Sequence, residues 1–279
     1  ESYFGMRKFG TTEVNGKKVL ALNNKPIFMN GVLDQGYWSD GLYTAPDDEA
    51  LIYDIQTMKD LGFNMLRKHI KVEPMRWYHH CDRLGMLVWQ DMMNGGGECR
   101  FWTISSPLVT GVHQKDNRYI RFARNAEAGR MEYMNELQEM ITQLRSVPSI
   151  VLWVPFNEGW GQFDAKAACE AILALDNSRP IDHASGWHDQ KIGQIQSLHV
   201  YFRPYKFKKD KLDRAVVLSE FGGYNLRLEG HTFNNVDFGY KKFASQQDLW
   251  KAYYDLYENQ IVPAVSKGLC ATVYTQLTD

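Results

Sequence analysis

No stretch of this chain approaches the roughly 18–20 consecutive apolar residues that a membrane-spanning helix needs, and no basic block is present. Lys and Arg number 32 against 33 Asp and Glu, for a formal net charge of −1. That balance argues against a nucleic-acid partner and against an anionic membrane surface. Cysteine is scarce: Cys81, Cys99, Cys169 and Cys270. Their spacing fits no zinc motif. Cys81 and Cys169 fall in helix-like stretches and Cys270 in a strand-like one, so buried free thiols are expected rather than a disulfide framework. A phosphate-binding fingerprint is also missing, because Gly95-Gly96-Gly97 lacks the strand–turn–helix frame such a motif requires. The chain has neither an internal repeat nor a low-complexity tract.

Two short segments carry most of the information. One is Ser149-Ile150-Val151-Leu152-Trp153-Val154-Pro155-Phe156-Asn157-Glu158, the other Val216-Val217-Leu218-Ser219-Glu220-Phe221-Gly222. Each is an apolar run reaching a glutamate. Runs of this length bounded by turn residues read as strands buried on both faces. A glutamate at the tip of such a strand leaves the core where a barrel has its mouth, so two of them can face each other across one cleft. Paired carboxylates are what glycoside hydrolysis needs: one protonates the leaving oxygen, and the other attacks the sugar or activates water.

The rest of the chain alternates. Val19–Leu22, a turn at Asn23-Asn24-Lys25-Pro26, and Ile27–Val32 read strand, turn, strand. Asp34–Pro46 reads as a loop. Asp47 or Asp48 caps a helix whose apolar face is Leu51, Ile52, Ile55, Met58 and Leu61, and Gly62 ends it. A strand at Phe63–Arg67, a helix from about Glu73 to Leu84 closed by Gly85, and a strand at Met86–Asp91 follow. The segment from Met92 to about Arg124 breaks this rhythm. Its length suits either a site rim or a covering loop. A helix from about Ala126 to Arg145 precedes the first glutamate-bearing strand, and another spans Phe163–Leu175. Short strands are expected at Pro180–Ala184 and Ile195–Val200. Beyond the second glutamate come a loop from Gly222 to Gly239, a helix from Gln246 to about Lys267, and a last strand at Leu269–Tyr274. The strands thus begin near 27, 63, 86, 149, 180, 195, 215 and 269. Eight parallel strands with mostly helical crossovers fit a (β/α)8 TIM barrel, an α/β fold, better than an open doubly wound sheet.

Several motifs converge on one family. These are Asn30-Gly31-Val32; Asp54 to Met58 with Leu61, Gly62, Phe63-Asn64 and Arg67; Trp77-Tyr78 with Cys81-Asp82-Arg83-Leu84-Gly85; Asn157-Glu158; and Ser219-Glu220-Phe221-Gly222. From Asn15 to Asp279 the chain resembles the catalytic barrel of glycoside hydrolase family 2, the β-galactosidase, β-glucuronidase and β-mannosidase group. It departs from the bacterial β-galactosidase pattern after the first strand, where Leu33-Asp34-Gln35-Gly36-Tyr37-Trp38 replaces Arg-His-Glu. At the last strand, Tyr274 or Gln276 stands where the family usually has Trp. The resemblance implies that residues 1–14 are a linker from an upstream β-sandwich domain, and that residues 15–279 are a C-terminally truncated catalytic domain whose last helix is missing or incomplete. β-Sandwich domains of a longer chain and an oligosaccharide or glycoside are then the expected partners, and the expected setting is periplasmic or secreted. No cofactor and no required metal are expected: some members of the family use Mg²⁺ or Na⁺, but the carboxylate cluster that would hold one is not recognisable in this sequence.

Residue by residue, the resemblance makes Glu158 the general acid/base and Glu220 the nucleophile of a retaining exo-β-glycosidase, β-galactosidase-like. It makes Asn157 the ligand of the sugar 2-hydroxyl. Arg67, at a strand end, is expected to hold Glu220 ionised. Asp91 either binds a hydroxyl or pairs with Arg67. His199 and Tyr201 close a strand, and either is a candidate donor to Glu220. Trp160 and Trp187 are candidate sugar platforms or barrel-mouth packing, and His69 belongs to the same candidate set. His79-His80 has no companion ligand at metal spacing. Other glycones remain open at this point, as do a β-glucuronidase, β-mannosidase or α-L-arabinosidase activity and a non-catalytic glycan-binding barrel.

Overall fold

The computed structural model describes residues 2–232, 236 and 239–277. Residues 233–235 and 237–238, in the loop expected from Gly222 to Gly239, lie outside the described residues. So do Thr278 and Asp279, where the catalytic domain was expected to stop.

The chain opens with a small antiparallel sheet of β1 (Phe9–Val14), β2 (Lys17–Leu22) and β3 (Lys25–Pro26). The end of the segment expected to be a linker is therefore a strand, with Phe9 facing Leu22 and Val14 facing Lys17. The barrel proper begins with β4 (Met29–Asp34), followed by α1 (Asp48–Asp60), β5 (Met65–Lys68), α2 (Met75–Leu84) and β6 (Leu87–Asp91). The segment that breaks the rhythm contains short helices, α3 (Phe101–Ile104) and α4 (Ser106–Thr110), and a 3-10 turn at Tyr119–Phe122. Next come α5 (Glu127–Leu144), β7 (Ile150–Val154), α6 (Ala165–Leu175), β8 (Ile195–Val200) and β9 (Ala215–Gly222). A two-strand rim piece, β10 (Tyr224–Asn225) and β11 (Lys241–Lys242), precedes α7 (Gln246–Leu256), a π turn at Tyr257–Ile261, α8 (Val262–Lys267) and β12 (Leu269–Thr275).

Local chemistry accounts for the helix ends. Asp47 accepts from the Ala50 N–H at 2.8 Å and caps α1, with Asp48 and Glu49 favourable in its first turn. Gly85 closes α2 in the left-handed conformation.

Seven parallel strands curl in the order β7-β6-β5-β4-β12-β9-β8. The eighth stave is the segment expected as a strand at Pro180–Ala184. It is extended but only bridged, Ile181 to Trp153 and Ser185 to Asn157. Backbone bonds tie it to the β7 side: Asp182 N–H to the Trp153 carbonyl, and Ser185 N–H to Phe156, each 2.9 Å. On the β8 side side chains do the joining, as Ser197 donates to Asp182 at 2.6 Å. The result is the (β/α)8 barrel.

Strand alternation sorts the side chains. Val32, Leu66, Val88, Trp153, Val216 and Leu218 face the helices. Met29, Leu33, Met65, Trp89, Val151, Val217, Ala271 and Val273 fill the interior. Phe9 and Leu20, from the small sheet, join this interior cluster from below. Towards the strand C-termini the inward positions become polar: Arg67 follows Met65, Asp91 follows Trp89, Ser219 follows Val217 and Thr275 follows Val273. The apolar layers thus support a polar one at the mouth, where ligands of this architecture bind.

Candidate active site

A one-residue bulge aims the second glutamate. Leu218 pairs with Leu198, but His199 pairs with Glu220, so β9 carries an extra residue at Ser219. The same shift appears against β12. Strict alternation would send Glu220 outward to the helices. The bulge instead turns Ser219 and Glu220 both inward, a common device beside functional sites. The first glutamate lies beyond β7, where Asn157 and Glu158 bridge to the Ser185 segment. Glu158 adopts φ 52°, a conformation uncommon for a side-chain-bearing residue. Its N–H is held by the Ser185 carbonyl at 2.9 Å. Gly159, at φ +75°, makes room beside it, because a Cβ there would sit 2.4 Å from the His188 ring.

Arg67 is the centre of the cluster. It is fully buried and bonds Asp91 with a two-pronged contact, Nε to Oδ1 at 3.0 Å and Nη2 to Oδ2 at 2.9 Å. Nη1 donates to Glu220 Oε1 at 3.0 Å and to the Ser219 carbonyl at 3.0 Å. Nη2 also reaches Asn157 Oδ1 at 2.8 Å. Burial works against its charge, but Asp91 and Glu220 hold it protonated. Burial pushes Asp91 up to about 6 against the pull of Arg67. Of its two expected roles, Asp91 takes the ion pair.

Glu220 is held on its other oxygen by Tyr201, which donates to Oε2 at 2.5 Å. Tyr201 Oη also lies 2.9 Å from Thr275 Oγ1. His199 was expected as a donor to Glu220, but its Nδ1 is nearer to Glu158 Oε1, at 2.7 Å, than to Glu220 Oε2, at 3.5 Å. Gly186 allows this placement: its φ is +84°, and a Cβ there would lie 2.3 Å from the His199 ring. His69 does not touch Glu158. Its Nε2 lies 3.2 Å from Asn157 Nδ2 and its Nδ1 3.1 Å from Gln35 Oε1. Since an amide NH2 only donates, Nε2 of His69 accepts and Nδ1 carries the proton. Burial, then Arg67, keeps His69 neutral.

Burial likewise drives His199 down to about 4. It drives Glu158 up to about 7, against the opposing hydrogen bond of Trp160 and the charge of Arg67. Glu220 is raised by burial too, with Glu158 adding to the rise and His199, Arg67 and Tyr201 opposing it. Glu220 receives one charged and one neutral donor. Among the described residues no cation contacts Glu158, so the surroundings favour ionisation more at Glu220 than at Glu158.

Trp160 is partly exposed beside Glu158, and Trp187 is half-buried with its ring 6.4 Å from that of His199. Both sit at the mouth. Outside this cluster, His80 lies on Asp48 at 3.2 Å and His79 on Tyr3 at 3.2 Å. All four cysteines are free, Cys81 and Cys270 buried. Ser185, Ser219, Gln35 and Thr275 complete the cluster. They were not singled out from the sequence, although each falls at or just past a strand end, where barrel sites collect.

Glu158, His199 and Glu220 each present an atom within 4.8 Å of the others. Arg67 already brings a fixed positive charge to within 3.0 Å of Glu220.

The family model "Glycosyl hydrolases family 2, TIM barrel domain" matches residues 12–258. The chain belongs to glycoside hydrolase family 2 and is of the glycosidase class. It is 28% identical over 178 residues to a β-galactosidase of Oenococcus oeni, covering 63% of this chain and 15% of that protein. It is 29% identical over 179 residues to a mannosylglycoprotein endo-β-mannosidase of Lilium longiflorum, covering 62% and 16%. The fold matches a β-glucuronidase of Parabacteroides merdae with a TM-score of 0.68 at 16% identity, over 98% of this chain and 35% of that one. The aligned part of the chain thus spans about one-sixth of the length of these curated relatives.

Proposed function

We propose that the chain is the catalytic domain of a retaining exo-β-glycosidase, with Glu220 as nucleophile and Glu158 as general acid/base, acting first on β-galactosides. The observation that carries this is the proximity of the two carboxyl groups, with oxygens inside a 4.8 Å cluster. Retention suits carboxyl groups about 5–5.5 Å apart, whereas inversion needs about 6.5–9.5 Å to admit a water.

The steps follow from the contacts. Glu220, aimed by Arg67 and Tyr201, attacks the anomeric carbon. Glu158 gives its proton to the departing glycosidic oxygen. The glycosyl ester neutralises Glu220, so Glu158, now ionised, takes a proton from water as that water attacks the same carbon. Arg67 and His69 orient Asn157, which keeps an N–H for the 2-hydroxyl, a contact that strengthens in the transition state. Trp160 and Trp187 offer apolar faces to the sugar. The galactoside preference is supported by the likeness to β-galactosidases. β-Sandwich domains are proposed as covalent neighbours that complete the rim.

The test is a panel of p-nitrophenyl glycosides (β-galactoside, β-glucuronide, β-mannoside, β-glucoside, α-L-arabinoside), run on this chain and on a longer chain with flanking domains. Wild type is set beside Glu158→Gln and Glu220→Gln. Release from one sugar, lost in Glu220→Gln, supports the class and names the glycone. No release from either chain, with glycan binding retained, would replace the enzyme with a binding barrel.

A further inference from the structure

We propose that Ser185 and Ser219 are positioning residues: they fix His199 with its proton on Nε2 and its bare Nδ1 turned to Glu158, and so keep the acid's proton on Glu158. The inference rests on the assignment of Glu158 as acid/base and goes beyond it, to what sets that residue's protonation.

The hydrogen bonds run in one direction. The Leu198 carbonyl can only accept, and Ser219 Oγ faces it in a long contact of 3.5 Å in which only the hydroxyl can donate. Ser185 Oγ donates to Ser219 Oγ at 2.9 Å. Each hydroxyl has one proton, so both are now committed. Ser185 Oγ can then only accept from His199 Nε2, 3.1 Å away. A neutral imidazole carries a single N–H, which leaves Nδ1 as a lone pair. Nδ1 and Glu158 Oε1 are 2.7 Å apart, a separation that requires a proton between them. The carboxyl group is its only source. Ser185 and Ser219 are both fully buried, so no solvent competes for their hydroxyls.

The surroundings of the pair are charged on several sides. Glu220 from β9, Arg67 from β5 and Asp182 from the bridged stave act on His199. His69, just past β5, feels His199, and Tyr201, just past β8, feels Glu158. Trp160 and Arg67 act on Glu158 in the direction of ionisation. None of these groups selects between the two imidazole nitrogens as a hydrogen-bond partner on the Nε2 side. Ser185 does.

Without the Ser185 hydroxyl, His199 is free to carry its proton on Nδ1 and donate to an ionised Glu158. Ionisation then becomes easier, and the acid is lost at a lower pH. This is a change in proton affinity, distinct from a loss of packing.

The experiment is a long-range proton–nitrogen spectrum of protein carrying labelled histidine, followed against pH, with His199 assigned by His199→Gln. In wild type the ring should show the Nε2–H tautomer below about pH 7, where Glu158 is protonated. In Ser185→Ala the Nδ1–H form should appear, and the shift that reports Glu158 should titrate about one pH unit lower. Ser185→Thr should restore both. Ser219→Ala, which frees Ser185 to donate to Nε2, is the second variant should Ser185→Ala fail to fold, and it should move both readings the same way. A wild-type ring with its proton on Nδ1, or unchanged tautomer and titration in a folded variant, overturns the proposal. A kinetic arm uses any hydrolysed glycoside. The basic limb of kcat/KM should fall at lower pH in Ser185→Ala, with a larger loss for phenyl than for 2,4-dinitrophenyl aglycones, which depart without a proton. Equal losses with an unmoved limb mean packing alone and also overturn it. If no glycoside is hydrolysed, the proposed function fails, while the spectra still decide the tautomer.

Discussion

Arg67 and Glu220 meet at 3.0 Å inside the barrel, and the same guanidinium grips Asp91 from its other side. One cation thus balances two buried carboxylates. Arg67→Met leaves both without their cation, and breaking a buried pair this way costs about 3–5 kcal/mol. Urea unfolding should show that loss together with near-complete loss of turnover. Arg67→Lys keeps the charge but not the five-donor fork. It should recover much of the stability while kcat stays at least about tenfold down, because Glu220, Asn157 and Asp91 need donors in three directions.

Glu158 and Glu220 should separate by chemical rescue. Glu220→Ala should lose at least about 10^3-fold in kcat. Glu158→Ala should retain attack on a 2,4-dinitrophenyl glycoside but stall at the glycosyl-enzyme. Added azide, which needs no base, should restore turnover and yield a glycosyl azide of unchanged anomeric configuration by proton NMR. An inverted product would refute retention.

The pH dependence follows from Glu158, which burial lifts to about 7. The acid form exists below that value. As pH rises through about 7, kcat/KM for an aglycone that needs protonation should fall tenfold per unit. The 2,4-dinitrophenyl glycoside should escape this limb.

Arg214 tests a different part of the barrel. Its Nη1 and Nη2 hold Asp189 at 2.9 and 2.7 Å, and its Nε holds Asp210 at 2.9 Å. Burial pushes both carboxyls up, but hydrogen bonds from Arg214 prevail and leave them below the usual range. A depressed carboxyl stabilises the fold above its unfolded value, and that contribution is lost as pH falls through the folded one. Arg214→Leu should therefore cost about 2 kcal/mol at pH 7 by urea unfolding, and the gap to wild type should narrow below about pH 4.

Gly186→Ala would place a methyl group 2.3 Å from the His199 ring at φ +84°. The strain is about 1–3 kcal/mol, and His199 must move away from Glu158. Thermal unfolding should record the cost. The basic limb of the pH profile should shift with it.

Most of the barrel was legible because its signals are local. Apolar periodicity, the Asp47 cap and Gly85 mark elements that form much as the spacing predicts. The convergence of Arg67, Asp91, Asn157, Glu158, His199, Tyr201 and Glu220 followed from their common position at strand ends. Three things were hidden. Alternation alone makes Ser219 and Glu220 opposites, and only pairing against His199 and Tyr274 reveals the bulge. Pro180–Ala184 has strand composition but forms too few ladder bonds on its β8 side to be one. The preference of His199 for Glu158 over Glu220 depends on Gly186, a residue that reads from the chain as a turn.

The barrel has a floor. Phe9 and Leu20 press into the same interior cluster as Met65 and Trp89, so side chains fill the barrel beneath the glutamates and leave the mouth as the doorway. In the proposed reaction the aglycone must vacate that doorway before water can enter by it. Any alcohol waiting there competes with water for the bound sugar. The proposed reaction would then form new glycosides as well as cleave old ones, in a ratio set by what crowds the threshold.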